Sequence, residues 1–196
     1  MSISNRQQEE RLLRQERILD GALEVFKEKG FDGATMDSIA LESGFGKATL
    51  YYYFHSKEEV FSAILENGWM NLWSSLEPII DLSQSPREKF ISVLIKIAEN
   101  VRARPGLYEF LFTAPKAITF EEEPWKKYQE RMYSIIFTLL EDGVKSKEFP
   151  QIDPKILFKA MGGLFMGLVL MGNKEKAVSV SDIEDLLNQS FPDQNK

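Results

Sequence analysis

The sequence of 196 residues contains no cysteine and only one histidine, His55. Without cysteine there is no disulfide framework and no thiolate metal site, and one imidazole cannot supply a catalytic histidine pair or a zinc cluster within one chain. No apolar run reaches the roughly 18–20 residues of a membrane span, and the polar N-terminus has no apolar signal segment. We therefore expect a cytoplasmic protein with no metal, no cofactor and no membrane partner.

Residue sets that mark an enzyme are also missing. Catalysis needs a nucleophile with its base, paired carboxylates in a cleft, or a metal cluster. The run of Glu121, Glu122 and Glu123 is typical of a solvated loop, and the chain has no phosphate-binding glycine loop. An enzyme is therefore not expected.

Basic charge is scarce as well, since the formal net charge is −6 at pH 7. Residues 1–60 hold eight Lys and Arg against eleven Asp and Glu, a net of −3. A protein that binds DNA through bulk charge should be basic. If this chain binds DNA, it must do so through a few placed contacts, with weak non-specific binding and a modest salt dependence.

The chain is instead rich in helical patterns. Apolar residues recur at helical spacing from end to end, and the pairs Ser56/Glu59 and Ser85/Glu88 form capping boxes that open helices. The first of these helices carries a long apolar stripe that extends to Pro78. We predict an all-α fold of about nine helices, with a domain boundary that separates residues 1–58 from residues 59–196.

Residues 35–57, TMDSIALESGFGKATLYYYFHSK, predict two short helices joined by a tight turn. Thr35 is a candidate cap for the first helix, and Gly44 permits a left-handed turn at no steric cost. In the second helix Leu50 and Phe54 are four residues apart and can both point inward. This pattern is typical of a helix-turn-helix.

The outward face of the second helix carries one lysine, small residues and phenols. Three consecutive tyrosines cannot all face a core. Such a face suits a DNA major groove, and the alternative is a helical adaptor whose tyrosine face binds a protein without binding DNA. The residues of this face are Lys47, Ala48, Thr49, Tyr51, Tyr52 and Tyr53.

Four arginines, Arg6, Arg11, Arg14 and Arg17, lie on the first helical segment. In one interpretation they belong to a solvated helix end, with neighbouring glutamates as partners. In the other they form an arm that touches phosphates or the minor groove.

Residues 17–65 resemble the DNA-binding head of the tetracycline-repressor (TetR) family of bacterial regulators. Two positions depart from the family pattern: Gly46 stands where Ser or Thr is commoner, and Ala48 where Gly is commoner. The matching residues are Arg17, Ile18, Leu19, Ala22, Phe26, Gly30, Phe31, Thr35, Ile39, Ala40, Gly44, residues 47–54 (KATLYYYF) and residues 57–59 (KEE).

The resemblance implies a homodimer that binds operator DNA, with a three-helix head and a larger C-terminal domain for ligand sensing and dimerisation. It implies a repressor that a small molecule releases. By position, Thr35 and Lys57 would hold phosphates and Lys47 would reach a guanine edge. Ala48 and Thr49 would approach thymine methyls, Tyr51 and Tyr52 would contact base methyls, sugar and phosphate, and Tyr53 would contact a phosphate.

Two further sets in the second domain are hypotheses. Large side chains predict a pocket for an apolar or aromatic effector, and each of them could equally be an ordinary core residue. The pocket set is Trp69, Trp73, Tyr108, Phe112, Trp125, Tyr128, Met132 and Phe165.

The second set predicts a dimer interface in which the helix near residues 153–172 and the terminal helix pair with their copies in a four-helix bundle. Burial within one subunit would explain the same stripe. The interface set is Phe158, Met161, Gly162, Met166 and Val169.

Overall fold

A computed structural model describes residues 3–114, 123–167 and 180–190. Over these ranges the chain forms nine α-helices and no strand, which confirms the predicted all-α fold. The helices are Ile3–Gly33 (α1), Met36–Ser43 (α2), Lys47–Tyr53 (α3), Lys57–Ile80 (α4), Pro86–Ala103 (α5), Pro105–Thr113 (α6), Lys126–Lys145 (α7), Pro154–Phe165 (α8) and Val180–Ser190 (α9).

The chain divides into two compact units. The first comprises Met1–Gly68 and Phe110–Trp125, and the second comprises Trp69–Glu109 and Lys126–Lys196. The first unit therefore extends along α4 beyond residue 58, and it also includes the end of α6. The functional boundary after residue 58 stays a prediction.

In the first unit α1 packs against α2 at very close range. A Cβ at Gly21 would lie 2.7 Å from both the Cα and the backbone N of Ser43. Ser43 is itself buried, and its hydroxyl donates to the carbonyl oxygen of Ile39 at 2.7 Å. Only a glycine on α1 allows this approach.

Aromatic rings join α1 and α4 to the end of α6 inside the first unit. Phe61 of α4 meets Phe26 and Phe31 edge-on, with 5.2 Å between ring centroids in each pair. Phe110 of α6 lies 5.1 Å from Phe61 and 6.3 Å from Phe26. Leu111 fills the space above Gly68, where a Cβ would come within 2.5 Å of its Cδ1.

The second unit is built around α5 and α7. The α5 helix packs against α7 and α9, and α7 packs against α8. Phe149 closes one end, because its ring lies over Gly143 and meets Phe90 at 5.4 Å. The carboxylate of Glu148 accepts hydrogen bonds from Ser146 Oγ at 2.7 Å and from the backbone N–H of Arg87 at 3.2 Å.

Both ends of α4 differ from the sequence-based expectation. At its C-terminal end the helix continues past Pro78, to which the predicted apolar stripe extends, and ends at Ile80. The backbone N–H of Glu59 donates to Ser56 Oγ at 3.2 Å, as the predicted capping box requires. The Glu59 carboxylate, however, accepts from the N–H of His55 at 2.7 Å and not from that of Ser56. The capping box at Ser85 is confirmed in both directions.

Within the described ranges no helix combines the length and the apolarity that crossing a bilayer requires.

Replacing Gly21 with alanine should destabilise the first unit. The added Cβ meets backbone atoms of Ser43 that cannot rotate away, so we expect a loss of about 1–3 kcal/mol, as for other overpacked contacts. Urea unfolding of Gly21→Ala followed by circular dichroism measures it. The control is Gly33→Ala, whose Cβ would find only Lys29 Cβ at 3.4 Å; equal midpoints for the two variants would contradict the packing account.

The free energy of unfolding should fall as the pH rises above about 10. Burial raises the pKa of Tyr108 and of Tyr133 above the ordinary value of 10.0, although the charge of Arg104 partly lowers that of Tyr108. Above pH 10 the unfolded chain then binds fewer protons than the folded chain, so stability decreases with pH. Denaturant titrations between pH 8 and pH 11 should show a shallower decline for Tyr133→Phe than for the unchanged chain; identical slopes would be evidence against the shift.

Candidate nucleic-acid interface

The helix-turn-helix begins at Thr35, which caps α2. Its Oγ1 accepts from the backbone N–H of Ser38 at 3.1 Å, and the N–H of Thr35 donates to Ser38 Oγ at 3.0 Å. These reciprocal bonds form a capping box in which serine takes the usual place of glutamate. The first amides of an α-helix have no carbonyl partner within the helix, so the exposed start of α2 is suited to an anion.

The turn between α2 and α3 has the geometry that the sequence predicts. Gly44 adopts a left-handed conformation with φ 73° and ψ 23°, and its N–H donates to the carbonyl oxygens of Ala40 and Leu41. The N–H of Phe45 donates to the Ala40 carbonyl oxygen at 3.0 Å. Gly46 precedes α3 in an extended conformation and gives it no side-chain cap.

The α3 helix turns two residues inward and the others outward. Leu50 is 0% exposed and Phe54, immediately after the helix, is 4% exposed. On the opposite side Tyr51 is 46% and Tyr52 is 68% exposed. Lys47 and Ala48 are also exposed, while Thr49 and Tyr53 are half-buried. The predicted separation of scaffold and outward face is therefore confirmed.

Neighbouring rings and guanidinium groups support this outward face. Tyr53 meets Tyr52 edge-on at 5.2 Å between centroids. The guanidinium carbon of Arg11 lies 6.0 Å from the Tyr52 ring centroid, and that of Arg17 lies 5.2 Å from the Phe45 ring centroid. Two arginines of α1 thus lie against the helix-turn-helix.

Lys47 forms an ion pair that the sequence analysis did not anticipate. Its Nζ lies 2.6 Å from Oδ2 of Asp37, and both side chains are more than half exposed. An exposed pair of this kind contributes about 0.2–1 kcal/mol. For Lys47 to contact DNA, its ion pair with Asp37 would have to break. Local sequence does not predict this pair, because the two residues lie on different helices.

Lys57 occupies a different environment from the one that a phosphate contact requires. Its Nζ donates to the carbonyl oxygens of Phe31 at 2.8 Å, Ala34 at 3.2 Å and Asp32 at 3.4 Å. It also lies 4.6 Å from the Phe31 ring centroid. A lysine ammonium has three donors, and here all three have acceptors at the end of α1. A role on phosphate stays a prediction.

The predicted effector residues divide between the two units. Phe112 and Trp125 belong to the first, and the other six belong to the second. Four of those six, Trp69, Trp73, Tyr108 and Met132, are buried, whereas Tyr128 and Phe165 are half-buried. Whether any of the set contacts an effector stays a prediction.

The polar atoms of two buried aromatic residues are already bonded. The indole N–H of Trp73 donates to Glu77 Oε1 at 2.6 Å, and the guanidinium carbon of Arg131 lies 4.4 Å from the Trp73 ring centroid. The hydroxyl of Tyr108 donates to Asn100 Oδ1 at 3.2 Å. The indole of Trp73 therefore has only apolar surface left to offer a ligand, and the hydroxyl of Tyr108 can only accept a hydrogen bond.

Tyr133 of α7 was not among the predicted residues. Its ring lies 6.1 Å from that of Trp69 and 6.2 Å from that of Phe158, so it links one residue of the effector set to one of the dimer set. It is 40% exposed, and among the described residues its hydroxyl has no hydrogen-bond partner. The helical stripe gave no signal for it, because Tyr133 lies beside the stripe of α7.

The predicted dimer residues lie mainly on α8. Phe158 and Met166 are half-buried and Gly162 is exposed, with open space around it. Met161 is only 4% exposed within one chain, so it has little surface to offer a partner. Val169 lies outside the described residues. The interface itself stays a prediction.

The helix-turn-helix coincides with a known family signature. Residues 18–64 match the family described as bacterial regulatory proteins, tetR family. This range covers α2, α3, the turn between them and the first part of α4.

Similar proteins are transcriptional regulators. The chain is 33% identical over 150 residues to the uncharacterized HTH-type transcriptional regulator YfiR of Bacillus subtilis, which covers 72% of this chain and 70% of YfiR. It is 32% identical over 97 residues to the biofilm operon icaADBC HTH-type negative transcriptional regulator IcaR of Staphylococcus epidermidis, which covers 50% of this chain and 43% of IcaR.

The fold is shared with solved structures as well. The crystal structure of AibR in complex with isovaleryl coenzyme A and operator DNA matches with a TM-score of 0.77 and 18% identity, covering 92% of this chain and 99% of AibR. At that identity the match shows the fold alone. Because a relative more than 30% identical is aligned over more than two thirds of both chains, and the family signature falls on the helix-turn-helix, this chain belongs to the TetR family of bacterial transcriptional regulators.

Proposed function

We propose that the chain acts as a dimeric repressor whose α3 enters the major groove of operator DNA. The observation that carries this proposal is the division of α3 into a buried side, Leu50 and Phe54, and an exposed side that includes Tyr51 and Tyr52. A short helix with an exposed outer face is suited to a groove about 12 Å wide. The name of IcaR, a negative regulator, supports repression.

In this proposal each residue of the outer face has a role. Lys47 leaves Asp37 to reach a guanine edge, and Ala48 and Thr49 allow the backbone to approach thymine methyls. Tyr51 and Tyr52 contact base methyls, sugar and phosphate, and Tyr53 contacts a phosphate. Thr35 presents the N-terminal amides of α2 to a second phosphate.

Lys57 has a structural role in this proposal. Its bonds to the carbonyl oxygens of Phe31, Asp32 and Ala34 hold the first turn of α4 to the end of α1. We infer that Lys57 positions the helix-turn-helix, and that a direct phosphate contact would require at least one of these bonds to break.

The second unit senses an apolar or aromatic effector in this proposal. Trp69, Trp73 and Met132 supply apolar surface, and the indole N–H of Trp73 and the hydroxyl proton of Tyr108 are already donated within the chain. Tyr133 contributes the one hydroxyl of this cluster that has no partner among the described residues. AibR, with isovaleryl coenzyme A, provides a relevant starting compound for a search.

Dimerisation uses the exposed part of α8. Phe158, Gly162 and Met166 offer a surface with apolar side chains and a glycine around which there is open space. Small residues of this kind let a second helix approach closely. Two recognition helices on a dimer would then read half-sites about 34–36 Å apart.

The DNA assignment is tested first by selection. The purified protein is mixed with a pool of random duplexes, and the bound sequences are recovered and sequenced. We expect a near-palindromic site, because a symmetric dimer reads two equivalent half-sites. A protein that enriches no sequence and shifts no duplex would support the adaptor interpretation.

The pair Lys47 and Asp37 gives a sharper prediction. Lys47→Ala should weaken binding to the selected duplex by about 1–3 kcal/mol and relax specificity at one base pair. Asp37→Asn should tighten binding to any duplex, by up to about fivefold, because it releases Lys47 from an exposed ion pair and removes a negative charge. Fluorescence anisotropy with labelled duplexes measures both.

Lys27→Ala is the matched control, since Lys27 also forms an exposed ion pair, with Glu24 at 3.0 Å, but on α1. It should leave the dissociation constant unchanged. If Lys47→Ala binds the selected duplex with the affinity and base preference of the unchanged chain, the assignment of Lys47 is wrong.

Effector binding and DNA binding should be linked. A ligand that binds the DNA-free protein more tightly than the DNA-bound protein lowers the affinity for DNA. DNA lowers the affinity for that ligand by the same factor. A panel of acyl-coenzyme A esters and uncharged aromatic molecules is screened for a rise in Tm and for release of the selected duplex. Tyr133→Phe should weaken the response while keeping DNA binding, and a panel in which stabilising compounds never release DNA would contradict effector control.

A further inference from the structure

We propose that Arg11, Arg14 and Arg17 of α1 form a second DNA-contacting element, which binds phosphate groups of the duplex beside the groove that α3 enters. This inference rests on the proposed function of α3. It assigns a role to a segment that the helix-turn-helix does not include.

The segment extends beyond the core of the first unit. The α1 helix begins at Ile3, and the first of its residues that the structure shows as buried is Ile18. Residues 5–17 are exposed except for the half-buried Gln15. They form about 20 Å of helix at 1.5 Å per residue. Packing within the unit does not explain this length of helix.

The arginines of this segment face the DNA-reading elements. Arg11 lies against the ring of Tyr52 on α3, and Arg17 lies against the ring of Phe45 in the turn. Residues 11, 14 and 17 succeed each other at intervals of three and so fall within an arc of about 120° around the helix. Arg14 is therefore on the same side, between the two.

Among the residues that the structure describes, these three guanidinium groups have no acidic partner. Arg6 pairs with Glu10 at 3.4 Å, but over the described residues Arg11, Arg14 and Arg17 form no ion pair. This is unexpected for a solvated helix end that contains Glu9 and Glu16, because these carboxylates were available. Residues 5–17 hold four arginines against three glutamates, a net charge of +1, whereas residues 1–60 have a net charge of −3.

A cation–π contact at these distances leaves the N–H donors of a guanidinium group available. Arginine has five N–H donors in a planar fork, which matches two phosphate oxygens. The rings of Tyr52 and Phe45 restrict Arg11 and Arg17 without using these donors. The arrangement therefore holds the two side chains beside the recognition helix at little cost in hydrogen bonding, and phosphates of a bound duplex are the complementary partner.

The test measures how tightly a charge-removing variant binds two different duplexes. Arg11→Gln/Arg14→Gln/Arg17→Gln should weaken binding to the selected duplex and to a scrambled duplex by the same factor, because phosphates carry no sequence information. The slope of log Kd against log salt concentration should fall by about two for each arginine position changed, because a dimer carries two copies of each arginine. Anisotropy titrations at four salt concentrations measure both quantities, and circular dichroism checks that helicity is kept.

Two controls separate phosphate binding from other effects. Arg6→Gln removes a charge from the same segment, but from a residue already paired with Glu10, and should leave the salt slope unchanged. Arg11→Lys/Arg14→Lys/Arg17→Lys keeps the charge and should retain most of the slope. Since Arg17 lies near the turn, Arg11→Gln/Arg14→Gln is also measured, and it should lose about four units of slope, two from each subunit of the dimer.

The outcomes distinguish this inference from the function on which it rests. If the unchanged chain binds the selected duplex and the double Gln variant has the same Kd and salt slope, the arginines do not touch phosphate and the inference is overturned, while the role of α3 stands. If the glutamine variants lose only affinity for the selected duplex, they disturb α3 and the inference is again wrong. If the unchanged chain binds no duplex, both proposals fail together.

Discussion

Burial of Leu50 and Phe54 is the contact on which the outer face of α3 depends. The α3 helix has only seven residues, and an isolated helix of that length is not stable in water. Its helical conformation and its rotation about its own axis are therefore set by the two inward side chains. Once these are buried, Tyr51 and Tyr52 can only face outward. The exposed phenols are a consequence of the core beneath them.

The rest of the first unit fixes the position of that core. Gly44 turns the chain between α2 and α3, and Gly21 brings α1 within direct contact of Ser43 at the end of α2. Lys57 then holds the start of α4 to the end of α1 through three carbonyl oxygens. The hydrogen-bonded turn, the tight helix pair and the lysine each restrict a different helix, and together they determine where the outer face of α3 lies.

Local sequence predicts those features that depend on neighbours along the chain. The inward spacing of Leu50 and Phe54, the left-handed Gly44 and the capping box of Ser85 follow from helix geometry and turn chemistry, and the structure confirms all three. The resemblance to the TetR family, carried by residues 17–65, is confirmed by a family match to residues 18–64 and by the relation to YfiR.

Contacts between distant residues could not be predicted in the same way. The acceptors of Lys57 lie 23 to 26 positions away, and the partner of Lys47 is on a different helix. A helical stripe shows that Met161 is apolar, but it does not show whether the residue is buried in its own chain or by a copy, and in one chain it is already buried. Tyr133 lies beside the apolar stripe of α7, so helical periodicity does not single it out.

The central claim is that DNA covers the exposed phenols of α3. Nitration by tetranitromethane, quantified by mass spectrometry for each tyrosine, measures this cover directly. Saturating selected duplex should strongly slow the nitration of Tyr51 and Tyr52 while leaving that of Tyr133, which is 40% exposed in the second unit, unchanged. If Tyr51 and Tyr52 are nitrated at the same rate with and without bound duplex, α3 does not read DNA and the account is wrong.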